Sequence, residues 1–317
     1  MRIRVVVAAV AVALLAGACG SSGSPGAGQS TKLEKTDLVV GAVPGSGAAS
    51  LYIARDKGLF ARQGLHVRIV PTATAGPVIP EMLHGTVDID SGGWTSVIAA
   101  QAQGIGHFHA LANGFALGPR VHEILALKSS GITSPRQLKG KTIAVNAVNT
   151  LTTDLALTAL ATYGLTPSDV HFAAIPFPAE AAALSAHRVA AAYMIEPYIT
   201  KEEQSGGATA LVDIDQANRN FPVNGFVVTS AWAAKYPRTA AAFAKAITEG
   251  NKIAATDPAE LRQVLTGSLH ISPKVAAAMA SGSFPTSVDP AQLQRVADMM
   301  QRYGQLKQHF DVHALTG

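Results

Sequence analysis

One pattern occurs twice along this chain, and that duplication narrows the possible folds more than any other feature. The first copy begins with the apolar run Leu38-Val39-Val40-Gly41-Ala42-Val43, which reads as a buried strand and is broken by Pro44-Gly45-Ser46-Gly47. A helix is predicted over Ala48 to Phe60, because Leu51, Ala54 and Leu59 share a face. Gly64-Leu65 then leads into a strand, His66 to Val70, closed by Pro71. A helix over Val78 to His84 and a short strand at Val87-Asp88-Ile89 follow, and Ser91-Gly92-Gly93-Trp94-Thr95 opens a third helix. The second copy repeats the order. Its strand is Thr142-Ile143-Ala144-Val145, its polar loop Asn146 to Thr150, and its helix Leu151 to Tyr163. Gly164-Leu165 matches Gly64-Leu65, and Val170 to Ile175, closed by Pro176, matches the strand closed by Pro71. A helix over Ala179 to Ala186, a strand over Val189 to Met194 and the loop Ile195-Glu196-Pro197 complete it.

Strands alternating with helices of this length build parallel sheets with right-handed crossovers. Two such units imply two similar α/β lobes. Open parallel sheets bind ligands at the carboxyl ends of their strands, where the loops just named lie.

The N-terminus has a different character. Arg2 and Arg4 precede the aliphatic stretch Val5 to Leu15, and Leu15-Ala16-Gly17-Ala18-Cys19 ends it. This is the three-part layout of a secretion signal, and it is shorter than the roughly 20 apolar residues of a membrane span. The placement of Cys19, the one cysteine of the chain, resembles a bacterial lipoprotein signal. That resemblance implies that residues 1–18 are removed, that Cys19 is lipidated, and that acyl chains hold the protein on the extracytoplasmic face of the cell membrane. The plainer alternative is an ordinary signal peptide with an incidental cysteine. Gly20 to Ser30 contains only Gly, Ser, Pro, Ala and Gln, so residues 19–36 are expected to be a flexible tether. The remaining length suits two lobes better than one small core. With 48% hydrophobic and 15% charged residues, the interior can be well filled. No disulfide can form within the mature domain. The formal charge of +4 falls to +2 once Arg2 and Arg4 are lost, and the basic residues are scattered, which argues against nucleic acid as a partner.

The first copy also carries a family likeness. Leu51-Tyr52-Ile53-Ala54-Arg55-Asp56-Lys57-Gly58-Leu59-Phe60, then Gly64-Leu65-His66-Val67, is similar to the opening of solute-binding proteins of the nitrate/sulfonate/taurine (SsuA/THI5-like) ABC-importer class. Met82-Leu83-His84-Gly85-Thr86-Val87-Asp88, Leu138-Lys139-Gly140-Lys141-Thr142-Ile143-Ala144-Val145 and Glu196-Pro197 resemble further landmarks of that class. His187 and Ala190 stand where the class often has Gly and Asp. The resemblance implies an α/β, type II periplasmic-binding-protein fold, with two lobes joined by two crossover segments. It places the crossovers near 121–128 and 221–230, lobe one at 37–122 and 229–317, and lobe two at 123–228. It implies a monomer that captures a small organic anion or flat heterocycle, hands it to the permease and ATPase subunits of an importer, and uses no cofactor. A thiamine-pyrimidine or riboflavin-type ligand is the alternative within the same fold.

Helix N-termini expose unpaired N–H groups and partial positive charge, so several aimed into one cleft can hold an anion or a polar ligand. The candidates are Ser46 and Gly47, then Gly93, Trp94 and Thr95, then Asn149, Thr150 and Thr152. Each hydroxyl or amide among them could equally be a plain N-cap. Trp94, beside two glycines, reads as poorly placed for core packing and suited to stacking on a flat ligand. Tyr52 is expected on the same side. Glu196 either accepts from a ligand amine or favours the following helix, and Asp154 reads as a first-turn dipole partner. Asn113 and Asn224 are weaker candidates, and Arg120 and Arg219 lie nearby.

His107 and His109, and His309 and His313, have spacings that can mimic metal ligation, but no carboxylate or cysteine cluster accompanies them, so no metal is expected. An enzyme of related fold that makes the thiamine pyrimidine carries a cysteine-rich motif. Here no cysteine follows Cys19, and neither a Gly-x-Ser-x-Gly elbow nor a P-loop is present, so capture rather than catalysis is expected. A surface lipoprotein without a transport role is the remaining alternative.

Overall fold

The computed structural model describes residues 32–72 and 78–317. Cys19, the expected signal peptide and most of the expected tether lie outside the described residues. Ten strands form two five-stranded sheets. The strands are β1 (Asp37–Ala42), β2 (His66–Pro71), β3 (Ile89–Gly93), β4 (Phe108–Ala116), β5 (His122–Leu127), β6 (Lys141–Val145), β7 (Val170–Ala174), β8 (Ala191–Ile195), β9 (Ala208–Asp213) and β10 (Pro222–Thr229). The first sheet has the order β2-β1-β3-β10-β4 and the second β7-β6-β8-β5-β9, so the duplicated pattern becomes a duplicated sheet. The early helices are α1 (Ala49–Asp56), α2 (Leu59–Arg62), α3 (Val78–His84), α4 (Trp94–Ala102), α5 (Leu151–Ala161), α6 (Phe177–Ser185) and α7 (Tyr198–Ser205). The single helix predicted over Ala48 to Phe60 is divided, because Gly58 takes φ +65° and restarts the chain as α2. The late helices are α8 (Ser230–Lys235), α9 (Pro237–Thr256), α10 (Pro258–Gly267), α11 (Pro273–Ala278), α12 (Pro290–Arg302) and α13 (His313–Thr316). Pro237, Pro258, Pro273 and Pro290 each open a helix, where the missing N–H and preset φ fit the first turn.

Within each repeat the pairings are parallel, β1 with β2 and β3, and β6 with β7 and β8. Each sheet also takes in one strand that runs against the rest. β10 is antiparallel to both β3 and β4, and β5 is antiparallel to both β8 and β9. This corrects the crossover assignment. The apolar runs at 122–127 and 222–229 are not connections but interior strands, one in each sheet, each next to an edge strand. The chain passes between sheets at 117–121 and 214–221 instead. The lobe-two segment expected to run to 228 therefore gives up 222–228 to the first sheet.

The directions of these strands orient the two sheets. β4 ends at the carboxyl edge of the first sheet, and β5 starts at the carboxyl edge of the second. β9 ends at that second edge, and β10 starts at the first. Both crossings therefore join carboxyl edge to carboxyl edge, so the two sets of candidate loops face one another. The crossings touch, since Leu117 N–H donates to Phe221 O at 2.9 Å.

The region after 230 does not belong to lobe one alone. α9 packs on α1, α2 and β4, whereas α12 packs on α4 and also on α5. Leu293, Val296, Ala297 and Met300 of α12 are buried in a core that includes Trp94 and Val227 on one side and Ile143 and Tyr193 on the other. Polar bonds follow the same route: Tyr303 Oη lies 3.0 Å from Thr158 Oγ1, and Gln305 Nε2 donates to Asp154 Oδ2 at 2.5 Å.

Candidate functional site

The first sheet presents its candidate loops around β3 and β10. Ser46 and Gly47 lie half-buried in a single 3-10 turn before α1, and Asn224 of β10 donates through Nδ2 to Gly47 O at 3.3 Å. Gly93 ends β3 and is the N-cap of α4 in extended geometry, with no side chain bonded to the helix start. A Cβ on Gly93 would stand 3.8 Å from both Thr95 Oγ1 and Val223 O, so Gly93, Thr95 and the start of β10 are neighbours. The structure thus brings Ser46, Gly47, Gly93, Thr95 and Asn224 to one edge, with the free N–H groups of the first turn of α4.

The second sheet presents Asn146 to Thr153. Asn149 is exposed and holds φ +55°. The hydroxyls behind it are engaged with each other: Thr152 donates to Asn146 Oδ1 at 2.6 Å, Thr150 to Ala147 O at 2.9 Å, and Thr153 accepts from Thr150 N at 2.9 Å. They build the turn that aims the start of α5 at the edge. Asp154 is buried and bound by Gln305, and burial pushes its carboxyl up to about 7.

Two expectations change, those for Trp94 and Tyr52, and Glu196 takes the second of its two expected roles. Trp94 is fully buried, its ring lying over Gly225 and packed with Val97 and Ile98 in the core. The two glycines before it in sequence suggested an open loop, but a glycine on β10 makes the slot it fills. Tyr52 is likewise a core residue on α1, with Arg55 stacked 4.8 Å above its ring. Glu196 serves the scaffold: Oε1 accepts from Thr200 Oγ1 at 2.8 Å and from Ala280 N at 3.2 Å, while Oε2 accepts from Thr200 N at 3.2 Å. Arg120 pairs with Glu123 at 3.0 Å and Glu203 at 2.7 Å, so its charge is already matched.

Two buried acids were not singled out from the sequence. Asp90 of β3 is 1% exposed, neither oxygen has a partner, and desolvation pushes it up to about 8. Two residues earlier, Asp88 is nearly as buried yet fully engaged, by Val39 N at 2.9 Å, Trp232 Nε1 at 2.9 Å and Lys35 Nζ. Glu180 of α6 is also buried without a partner and is pushed up to about 9 by burial. The visible signal was an acid inside an apolar strand, Val87-Asp88-Ile89-Asp90, and a lone acid on the inner side of an alanine helix, Ala179-Glu180-Ala181-Ala182-Ala183-Leu184. A buried pair lies beside β8: His122 Nδ1 and Tyr193 Oη are 2.8 Å apart, and desolvation holds the imidazole down at about 3, so it is neutral.

Two open surface hollows, of about 460 and 530 Å³, occupy the opposite, amino edges of the sheets. One lies among Lys35, His66 and Arg68, the other among Lys141, His187 and Arg188. Among the described residues, no group of three or more His, Cys, Asp or Glu side chains could hold a metal, and no helix is long and apolar enough to cross a membrane.

Solved structures share this architecture. The periplasmic aliphatic sulphonate-binding protein SsuA of Escherichia coli aligns with a TM-score of 0.75 at 18% identity, over 88% of this chain and 96% of its own. The alkanesulfonate-binding protein SsuA of Xanthomonas axonopodis pv. citri, bound to MOPS, aligns with a TM-score of 0.75 at 21% identity, over 90% and 99%. The periplasmic nitrate-binding protein NrtA of Synechocystis PCC 6803 aligns with a TM-score of 0.73 at 16% identity, over 89% and 85%. No curated protein matches by sequence. The fold is the periplasmic-binding-protein fold of two α/β lobes. The NMT1/THI5-like family model matches residues 46–261, from the first candidate turn through β10 into α10, so the chain belongs to the NMT1/THI5-like family.

Proposed function

We propose that this protein is the extracytoplasmic solute-binding component of an ABC importer. It captures a small organic anion or flat heterocycle between its two lobes and carries out no chemistry on it. The observation that carries the reading is the pair of crossings between carboxyl edges, with the N-terminus of α4 left uncapped by any side chain at one of those edges. Ser46, Gly47, Gly93 and Thr95 would supply N–H and hydroxyl groups from one side, and Asn149, Thr150 and Thr152 from the other. Ligand contacts to both lobes favour the closed form, and the importer's membrane subunits read that form. The sulphonate- and nitrate-binding neighbours support an anion, and the matched charge of Arg120 leaves the N–H groups to hold it. Lipidation at Cys19 would keep the monomer at the membrane surface.

Native mass spectrometry of the unlipidated protein tests this directly, because a co-purified ligand appears as an adduct lost on denaturation. A thermal-shift panel of sulfonates, taurine, nitrate, pyrimidines and flavins follows, since a true ligand raises apparent stability by mass action. An adduct or a concentration-dependent shift is expected. No adduct and no shift across the panel would overturn the reading.

A further inference from the structure

Gly92 of β3 and Gly225 of β10 are directly opposed in the antiparallel ladder. Neither has a side chain, so the sheet face is bare at this point and two neighbours cover it. The carboxyl group of Asp90 reaches forward over Gly92, so close that a Cβ there would collide with it. The six-membered ring of Trp94 lies over Gly225 in the same way. Opposed residues of such a ladder are about 5 Å apart, so carboxyl and indole lie side by side. On the other side of Gly225 its ladder partner is Asn113 of β4, which extends the row to a third strand.

All three side chains are buried, and each keeps an unpartnered polar atom: both oxygens of Asp90, Nε1 of Trp94 and Oδ1 of Asn113. Asn113 is held in place by its Nδ2 donating to Ser287 O at 2.5 Å, which leaves the carbonyl oxygen as its open valence. Packing alone does not call for this. Apolar side chains of similar volume would fill the row without unpaired groups. The row also includes the first residue of α4, Trp94, whose helix starts at Gly93 with no side-chain cap.

We propose that Asp90, Trp94 and Asn113 form a specificity subsite for an N–H-bearing group of the ligand, an amine or amino-substituted ring, next to the helix N-termini that hold its anionic or acceptor part. Asp90 and Asn113 supply acceptors for the N–H groups, and the indole N–H supplies one donor. The inference rests on the solute-binding reading and narrows its ligand class.

Matched probes test it by isothermal titration calorimetry on the full chain: taurine against ethanesulfonate, and 4-aminopyrimidine against pyrimidine. A hydrogen bond to a charged group is worth about tenfold or more in affinity. The amino-bearing member of at least one pair is expected to bind about tenfold tighter or better, and Asp90→Leu to bring that pair to within about twofold. Should Asp90→Leu not fold by circular dichroism, Asp90→Asn, which keeps the size and one acceptor, is expected to narrow the preference in the same direction. Equal binding within each pair, or a preference unchanged in Asp90→Asn, overturns the subsite and leaves solute binding intact. Binding of ethanesulfonate or nitrate with rejection of both amino-bearing probes does the same. If no probe binds and the earlier panel is also silent, both readings fall together.

Discussion

Replacing Asp90 by Asn should flatten the pH dependence of stability. The folded chain holds this carboxyl near 8, against an ordinary value of 3.8, because burial strips its water and nothing replaces it. The sign follows from which state binds the proton. Below the ordinary value, the group is neutral folded or unfolded and has no effect. Between the two values, the unfolded chain ionises while the folded chain keeps its proton, so stability falls as pH rises. Above 8 both forms are ionised and the loss is complete. The slope is about 1.4 kcal/mol per pH unit, so about 3–4 kcal/mol is lost between roughly pH 5 and pH 8 through this group alone. The amide of the Asp90→Asn variant cannot ionise. Urea denaturation of wild type and Asp90→Asn at a series of pH values reads the difference directly, since the other raised acids contribute equally to both. The gap between the two profiles should widen by about 3–4 kcal/mol from pH 5 to pH 8, in favour of the variant, and close only below the ordinary value of 3.8. Parallel profiles would show that the carboxyl finds water or a partner when ionised, and that burial does not hold its proton on.

Trp94→Ala should destabilise the fold by about 3–5 kcal/mol, because a fully buried indole leaves a cavity over a glycine that cannot fill it; urea midpoints check this, and a near-neutral effect would place the ring outside the core. Glu196→Ala removes three hydrogen bonds, one of them from the Ala280 amide, and should cost about 2–3 kcal/mol while speeding hydrogen exchange at Ala280. Unchanged exchange there would mean that another group holds the segment.

The duplication was legible because each strand of a parallel pair carries its own apolar run, and each run ends in a loop marked by Gly, Pro or Asn. The antiparallel strands were not. The run at 122–127 and the run at 222–229 read as extended, but an apolar run does not say whether it spans a gap between lobes or fills the middle of a sheet. That depends on partners such as Ala110, Ala112 and Tyr193, which lie far off in sequence. Trp94 failed for a related reason. Its neighbours Gly92 and Gly93 suggested exposure, and the residue that makes room for its ring is Gly225. Glu196 was visible as a helix-start acid, but its bond to Ala280 comes from a segment that no local pattern connects to it. Asp90 was passed over because one acid in an apolar strand looks like its neighbour Asp88. The difference between them is a set of donors supplied by Val39, Lys35 and Trp232.

The paired crossings and the C-terminal stretch together decide how freely this molecule can move. Two strands of chain tied to each other by the bond from Leu117 to Phe221 behave as a single pivot, leaving the sheets essentially one rotation relative to each other. α12 touches that pivot, where Arg295 donates to Arg219 O at 3.0 Å and lies 5.3 Å over the Phe221 ring, and it also packs on both α4 and α5, so it works as a strut across the joint. Any swing must either break the links from Tyr303 to Thr158 and from Gln305 to Asp154 or carry the strut along with one side. The resistance to opening is therefore set by residues at the far end of the chain, which can be altered without touching the edge where a solute would sit.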